Sequence, residues 1–209
     1  MRTLKKLFTA EELIRLPSGE RRLELVEGQL YEMPLEGGRH GNVAANIGSR
    51  LGIHIEETGA GLTFAGGTGF ILQRAPDTVR APDCAFVSKT RLPLVELTDD
   101  YLEMAPDLVV EVVSSDDRHE ISDKVKDWLR TSTRLVWAIM ADARSATVYR
   151  SPDDVSELSE SDTLNGEDVA RGSPTNFGSC SANSPHLRLA WSAADSCERC
   201  GGEGPGRWG

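Results

Sequence analysis

The fold is decided by the stretch Pro106-Asp107-Leu108-Val109-Val110-Glu111-Val112-Val113, an almost continuous apolar run that follows Asp107 and has one acidic residue, Glu111, inside it. Such a run is typical of a central strand that is covered on both faces. A second run, Ala81-Pro82-Asp83-Cys84-Ala85-Phe86-Val87, also carries one carboxylate. An unpaired charge inside a buried strand costs free energy, because the protein interior solvates it poorly. Asp83 and Glu111 therefore require partners.

Two carboxylates on adjacent strands repel each other unless a cation lies between them. Carboxylate oxygens, with waters completing the coordination shell, suit Mg²⁺ or Mn²⁺. Lys124 follows one helix later, where a lysine would stabilise negative charge or orient a water. A metal that polarises a phosphate and activates its bound water is what phosphodiester hydrolysis requires. The alternative for Asp83 and Glu111 is a buried ion pair without a metal.

Working outward from these runs, hydrophobic periodicity predicts an α/β (α+β) domain. An amphipathic helix is expected over about 40–57, where apolar residues recur every four positions. A second helix is expected over 116–131, between strands at 107–113 and 135–140, which makes a βαβ-like unit. The remaining predicted elements are a short helix with a capping box at 9–16, a hairpin over 23–33, and strands at 61–65, 68–74, 80–87 and 146–150.

Length and composition limit the class of protein. A chain of 209 residues suits one core, so we expect one domain over 1–169 and a tail over 170–209. No stretch approaches the roughly 20 apolar residues of a membrane span, and no secretory signal is evident, so a cytoplasmic location without membrane contact is expected. The net charge of −10 weakens a nucleic-acid partner without excluding it, because metal ions cancel part of an acidic site's charge.

The tail from about Ala170 is rich in Gly, Ser, Pro, Asn and Cys and lacks hydrophobic periodicity, so it is expected to be irregular. Cys197 and Cys200 have the spacing of half a zinc site, which Cys180 and His186 would complete. No second close pair of cysteines exists, so chance cysteines are the favoured interpretation.

Several short motifs follow one another in a fixed order along the chain: the run from Leu23 to Gly28, then His40, Pro82-Asp83, the run from Glu111 to Ser114, and Lys124 with tryptophans at 128 and 137. Together they resemble the Uma-two family of restriction endonuclease-like proteins, which belongs to the PD-(D/E)xK nuclease superfamily. The resemblance covers about residues 8–169.

The resemblance implies a restriction-endonuclease-like mixed β-sheet flanked by helices. It also implies Mg²⁺ (or Mn²⁺) held by Asp83 and Glu111, with Glu24 as a further carboxylate and Lys124 assisting the water. The superfamily usually has its lysine two residues after the second acid, where this chain has Val113. The lysine must therefore come from the following helix, whose periodicity favours Lys124 on the inward face over a lysine two residues later, which points about 160° away.

Alternatives remain for individual residues. Glu24 could pair with Arg22 on a hairpin surface instead of joining the site. His40 is interpreted as a helix-start or supporting group, and Asp107 as a turn residue at the start of its strand. Lys126 is the alternative to Lys124.

The family normally ends with a Pro-Gly-Phe segment and a Glu-Leu-Phe segment, which this chain lacks after Val169. One set of codons for 170–181 encodes both segments when read from its third base. A frameshift near Ala170 is therefore our hypothesis for the tail.

Taken together, the resemblance implies a Mg²⁺-dependent endonuclease that hydrolyses phosphodiester bonds in DNA. One alternative is a catalytically inactive nuclease fold that binds or regulates, including as a homodimer. Another is a hydrolase of small phosphate esters, which the acidic charge favours. Metal-dependent cleavage of duplex DNA separates the first function from the other two.

Overall fold

The computed structural model describes residues 6–16, 22–92, 97–114, 118–171 and 186–188. Its helices are α1 (Ala10–Arg15), α2 (Gly38–Thr58) and α3 (Arg118–Arg130). Its strands are β1 (Arg22–Val26), β2 (Gln29–Met33), β3 (Gly61–Ala65), β4 (Phe70–Gln73), β5 (Thr78–Arg80), β6 (Cys84–Ser88), β7 (Leu108–Val113), β8 (Leu135–Met140), β9 (Ser145–Tyr149), β10 (Val155–Leu158), β11 (Thr163–Asn165) and β12 (His186–Arg188).

The main sheet has six strands in the order β10-β9-β8-β7-β6-β3. Strands β7 and β8 are parallel and are joined through α3, while the other neighbours are antiparallel. The sheet is therefore mixed and contains the expected βαβ unit, which confirms the predicted fold class. Strand β7 is buried along its whole length, as its apolar run indicated.

The two faces of the main sheet are covered by different helices. Val110 and Val112 pack in a cluster with the apolar residues of α2, whereas Val109 and Val113 pack in a second cluster with α3. Because side chains alternate along a strand, Glu111 lies on the α3 face, between Val109 and Val113. This alternation turns the only acidic residue of β7 toward α3.

A smaller sheet of four strands has the order β2-β1-β5-β4 and packs against α1. The hairpin of β1 and β2 turns at Glu27 and Gly28, which both have left-handed backbone angles, the geometry of a tight two-residue hairpin turn. Thr9 caps α1 with the reciprocal hydrogen bonds of a capping box. Both local predictions are confirmed.

The prediction of one strand over 80–87 is wrong. Strand β5 ends at Arg80 in the four-stranded sheet, and β6 begins at Cys84 in the six-stranded sheet. The chain changes sheets at Ala81, Pro82 and Asp83. A proline has no N–H to give to a strand ladder, so the change of sheet at Pro82 removes no backbone donor. Asp83 consequently lies at the junction of the two sheets.

The described stretch 118–171 ends close to the core. Val169 and Ala170 are buried in the cluster that contains α2, and His54 Nε2 lies 3.1 Å from the Ala170 carbonyl oxygen. Strand β12, within the predicted irregular tail, pairs with β11. Residues 172–185 and 189–209, with the three tail cysteines, lie outside the described residues. None of the described helices is long and apolar enough to cross a membrane.

Candidate active site

A small cavity lies where the two sheets meet, between the start of α2, the end of β7 and the middle of α3. Its lining includes Asp83, Glu111, Lys124, His40 and Arg22. Its volume is about 40 Å³, and a water needs roughly 10–15 Å³ in the same measure. The cavity therefore has room for one ion with a few waters. It adjoins a groove of about 550 Å³ between α2 and β3, which shares His40 and Asp83.

Asp83 is held from several sides. One carboxylate oxygen, Oδ2, accepts a 2.7 Å hydrogen bond from the Val112 N–H, and the other, Oδ1, lies 3.1 Å from Nε2 of His40. Burial alone would raise the pKa of Asp83. The hydrogen bond and charge of His40, the Val112 N–H and the charge of Arg22 together hold that pKa below its ordinary value. Asp83 is thus an ionised carboxylate aimed into the cavity.

His40 lies in the first turn of α2 and bridges two acids. Its Nε2 faces Asp83, and its Nδ1 lies 3.1 Å from Oε2 of Glu36. Burial opposes protonation of the imidazole, but Asp83 and Glu36 outweigh it, so the pKa of His40 is raised. The sequence interpretation as a helix-start and supporting residue agrees with this position.

Glu111 lies beside Asp83 but in a drier environment. Its Oε1 accepts a 2.9 Å hydrogen bond from the indole N–H of Trp128, and its Oε2 lies 3.5 Å from Nζ of Lys124. Burial raises the pKa of Glu111 to about 7; Lys124 opposes the rise, while the charges of Asp83 and Glu24 add to it. Asp83 and Glu111 line the same small cavity, so their negative charges repel each other.

The two lysines of α3 occupy opposite environments. Lys124 leaves 12% of its side chain exposed and lies between the carboxylates of Glu111 and Glu24, at 3.5 and 3.6 Å. Burial lowers the pKa of Lys124, but these two acids outweigh burial and raise it, so the ammonium stays charged. Lys126 is 60% exposed and pairs with Asp123 on the helix surface. The structure therefore brings Lys124, and not Lys126, to the two carboxylates.

Glu24 lies near these groups but is engaged elsewhere. Its carboxylate accepts hydrogen bonds from Arg80 Nη1 at 2.9 Å and from the Ala81 N–H at 3.2 Å. Arg80 also binds Asp127 of α3 through Nε and Nη2, at 3.0 and 2.6 Å. Arg22 Nη2 does lie 3.7 Å from Glu24 Oε1, but Glu24 is buried, so this pair is not on a hairpin surface. It does not line the cavity that Asp83 and Glu111 share.

These contacts bear on the expected metal ligands. Among the described residues, no three His, Cys, Asp or Glu side chains are arranged to hold one ion. The structure thus does not bring Glu24 into a ligand set with Asp83 and Glu111. Mg²⁺ commonly uses one or two carboxylates and keeps several waters, so the two cavity carboxylates fit it without a third. A cation bound between Asp83 and Glu111 would lower the raised pKa of Glu111, because it favours the ionised carboxylate.

Asp107 has a structural position. It directly precedes β7 and is buried, and its carboxylate accepts hydrogen bonds from the Ser88 N–H and from Arg91. These bonds join the end of β6 to the start of β7. Asp107 is absent from the cavity lining.

Known proteins resemble this chain in sequence and in fold. Residues 10–177 match the model of the Uma2 family, described as "Putative restriction endonuclease". The chain belongs to this family. A crystal structure of a "putative nuclease belonging to DUF820" from Anabaena variabilis is similar in fold, with a TM-score of 0.68, 20% identity, and coverage of 78% of this chain and 91% of that one. No curated protein matches the chain. Family and fold together support a nuclease.

Four polar residues of the site were not predicted as parts of it, and one of them is Glu36, which lines the cavity beside His40. Arg80 and Asp127 connect Glu24 to α3, and Arg22 lines the cavity itself. One signal for Arg80 was present, since it is a charge two residues before Pro82 at the start of an apolar run. Asp127 is three residues after Lys124, on an adjacent part of the helix surface.

Proposed function

We propose that this protein is a divalent-metal-dependent endonuclease that hydrolyses phosphodiester bonds in DNA. The observation that carries the proposal is that Asp83 and Glu111, from two different apolar runs, line one ion-sized cavity with Lys124 3.5 Å from Glu111. Two carboxylates and one ammonium around a small polar cavity are suited to phosphate chemistry.

Asp83 and Glu111 would hold the ion, which when bound polarises a phosphate and supplies an activated water. Neighbouring residues orient the carboxylate oxygens that would bind the ion. His40 and the Val112 N–H fix the two oxygens of Asp83, and the Trp128 indole fixes one oxygen of Glu111. Both Mg²⁺ and Mn²⁺ suit this site by ligand chemistry, since both take carboxylate oxygens and water.

We assign to Lys124 the role of orienting the attacking water or stabilising the negative charge of the phosphate. Lys124 is charged and partly exposed, and it reaches Glu111 from α3. Glu24 positions it: the carboxylate lies 3.6 Å from Nζ and is itself held by Arg80. Because Arg80 also binds Asp127, it connects Glu24 of β1 to helix α3.

The shape of the site favours a polymer over a small phosphate ester. The cavity holds an ion with a few waters but not a whole organic phosphate, so a substrate must approach from outside. The adjoining groove of about 550 Å³ gives room for part of a DNA strand on one side of the reacting phosphate. This arrangement suits cleavage within a strand of DNA.

The test is cleavage of supercoiled plasmid with MgCl₂, with MnCl₂ and with EDTA. We expect cleavage only with metal, and its loss in Asp83→Asn and Glu111→Gln. Asp123→Asn is the matched control, because this carboxylate lies exposed on α3 and pairs with Lys126. A wild-type protein that binds DNA without cutting it would support the inactive module instead. Hydrolysis of p-nitrophenyl phosphate without plasmid cleavage would support the small-ester hydrolase.

A further inference from the structure

Arg22 is a cation of the cavity that the proposed reaction has not yet used. It begins β1, lines the cavity with Asp83 and Glu111, and leaves about a quarter (25%) of its side chain exposed. Of the arginines in the described part of the chain, it is the one in that lining. Its side chain therefore faces the place where we expect a phosphate.

The guanidinium is anchored on one side and open on the other. Its Nη2 donates a hydrogen bond to the Ala81 carbonyl oxygen and lies 3.7 Å from Glu24. Its Nη1 lies 3.6 Å from Oδ1 of Asp83, beyond hydrogen-bond distance, and its Nε is buried with no hydrogen-bond partner among the described residues. Nη1 thus makes no hydrogen bond within the described residues, and its N–H groups are left for an acceptor from outside the chain.

Arg80 shows what a purely structural arginine looks like in the same protein. It makes hydrogen bonds of 2.9, 3.0 and 2.6 Å to Glu24 and Asp127, and only 8% of its side chain is exposed. Within the described ranges, Arg22 has no such hydrogen-bonded carboxylate partner. The two arginines flank the same Glu24, but only Arg22 keeps donors for another ligand.

Charge points to the nature of that ligand. Without an ion, the carboxylates of Asp83, Glu111 and Glu24 offset Arg22 and Lys124. A divalent cation on Asp83 and Glu111 would take up their charge and leave Glu24, already bound to Arg80, as the remaining one of these three carboxylates to offset Arg22 and Lys124. A phosphodiester is an anion, and a planar guanidinium binds phosphate oxygens through parallel N–H groups.

We propose that Arg22 binds the phosphate that is cleaved, from the side of the cavity formed by β1. This inference rests on the proposed function. Arg22 and Lys124 then approach the phosphate from different elements, and Arg22 contributes chiefly to substrate binding. A hydrogen bond to a charged group contributes about 1.5–3 kcal/mol, so its removal should weaken DNA binding roughly 10- to 100-fold.

The experiment measures binding of a fluorescein-labelled DNA duplex by anisotropy in CaCl₂, across a series of salt concentrations, for wild type, Arg22→Gln, Arg22→Lys and Arg134→Gln. Loss of one phosphate contact lowers the slope of log affinity against log salt by about one, which a structural defect would not do. We expect that change in Arg22→Gln, with the slope retained in Arg22→Lys. Arg134 is the matched control, because it is exposed, pairs with Asp168 and is absent from the cavity lining.

Mg²⁺ affinity without DNA, measured by calorimetry, provides the second readout. We expect Arg22→Gln to bind Mg²⁺ at least as tightly as wild type, because a cation beside Asp83 has been removed. Wild-type affinity and salt slope in Arg22→Gln would overturn the inference while leaving the nuclease intact. If Arg22→Gln unfolds, Arg22→Lys decides: loss of both Mg²⁺ binding and the salt slope would show a structural role. A wild type that neither binds nor cuts DNA overturns the proposed function and this inference together.

Discussion

The indole N–H of Trp128 donates a 2.9 Å hydrogen bond to Oε1 of Glu111, and both residues are buried. This bond joins α3 to β7 beneath the cavity. The indole also packs edge-on against Phe70, with ring centroids 6.3 Å apart. Trp128 thus fixes the direction of the Glu111 carboxylate as well as filling the core.

Trp128→Phe should destabilise the protein by about 1–3 kcal/mol beyond the loss of volume, because it leaves a buried carboxylate oxygen without its donor. It should also weaken Mg²⁺ binding near neutral pH, since that donor favours the ionised form of Glu111. Urea unfolding and calorimetry measure the two effects. Trp137→Phe is the matched control, because Trp137 is equally buried and its indole N–H has no hydrogen-bond partner in the described structure. Equal losses in both variants would contradict the role of the bond.

The stability of the metal-free protein should fall as pH rises. The folded state raises the pKa of Glu111 from 4.5 to about 7, so the folded state binds this proton more tightly than the unfolded state. The associated stability is complete below pH 4.5 and is lost as pH rises through about 7. The shift corresponds to roughly 3 kcal/mol.

Thermal melts between pH 5 and 8 measure this dependence. His40 adds to it in the same direction, because its pKa is also raised. Glu111→Gln should flatten the profile and stabilise the metal-free protein at pH 8, and saturating Mg²⁺ should do the same for wild type. Asp123→Asn, an exposed carboxylate on α3, should leave the profile unchanged. A Glu111→Gln profile identical to that of wild type would disprove the assignment.

Glu24→Gln should show whether Glu24 positions Lys124 and Arg80 or binds the metal ion. Removing this carboxylate leaves Arg80 with a buried, partly uncompensated charge, which typically costs about 3–5 kcal/mol. Mg²⁺ affinity should change little, because Glu24 does not line the cavity. Asp127→Asn, which removes the other partner of Arg80, should cost similar stability. A large loss of Mg²⁺ affinity in Glu24→Gln alone would restore Glu24 as a ligand.

The sequence predicted the parts of this site that follow from periodicity. The apolar run around Glu111 indicated a central strand, and alternation along it turns that acid toward α3. Helical spacing selected Lys124 over Lys126, and the structure places Lys124 beside Glu111. These inferences needed only local repeats, which the chain displays directly.

What the sequence did not predict depends on contacts between distant residues. The change of sheet at Pro82 was hidden because apolar residues continue on both sides of it. Arg80 lies 56 residues from Glu24 and 47 from Asp127, and no spacing rule connects them. The carboxylate at position 24 was therefore interpreted as a metal ligand, with a surface pair as the alternative, whereas burial beside Arg80 gives it a third environment.

Lys124→Ala should abolish DNA cleavage while leaving Mg²⁺ binding within a few-fold of wild type. The ammonium lies 3.5 Å from Glu111 and is placed to act on the water or the phosphate, not on the ion. Glu111 would lose an opposing charge, so its pKa should rise further and the metal-free protein should lose some stability. Plasmid cleavage and calorimetry at pH 8 measure the two properties.

Lys126→Ala is the control on the same helix, because Lys126 is exposed and contacts Asp123. It should keep wild-type cleavage, since an exposed pair contributes little to stability. Lys124→Arg adds a sharper test: it keeps the charge but not the compact ammonium, so it should bind DNA and cut it slowly. Equal loss of cleavage in Lys124→Ala and Lys126→Ala, or loss in Lys126→Ala alone, would show that burial beside Glu111 does not identify the reacting lysine.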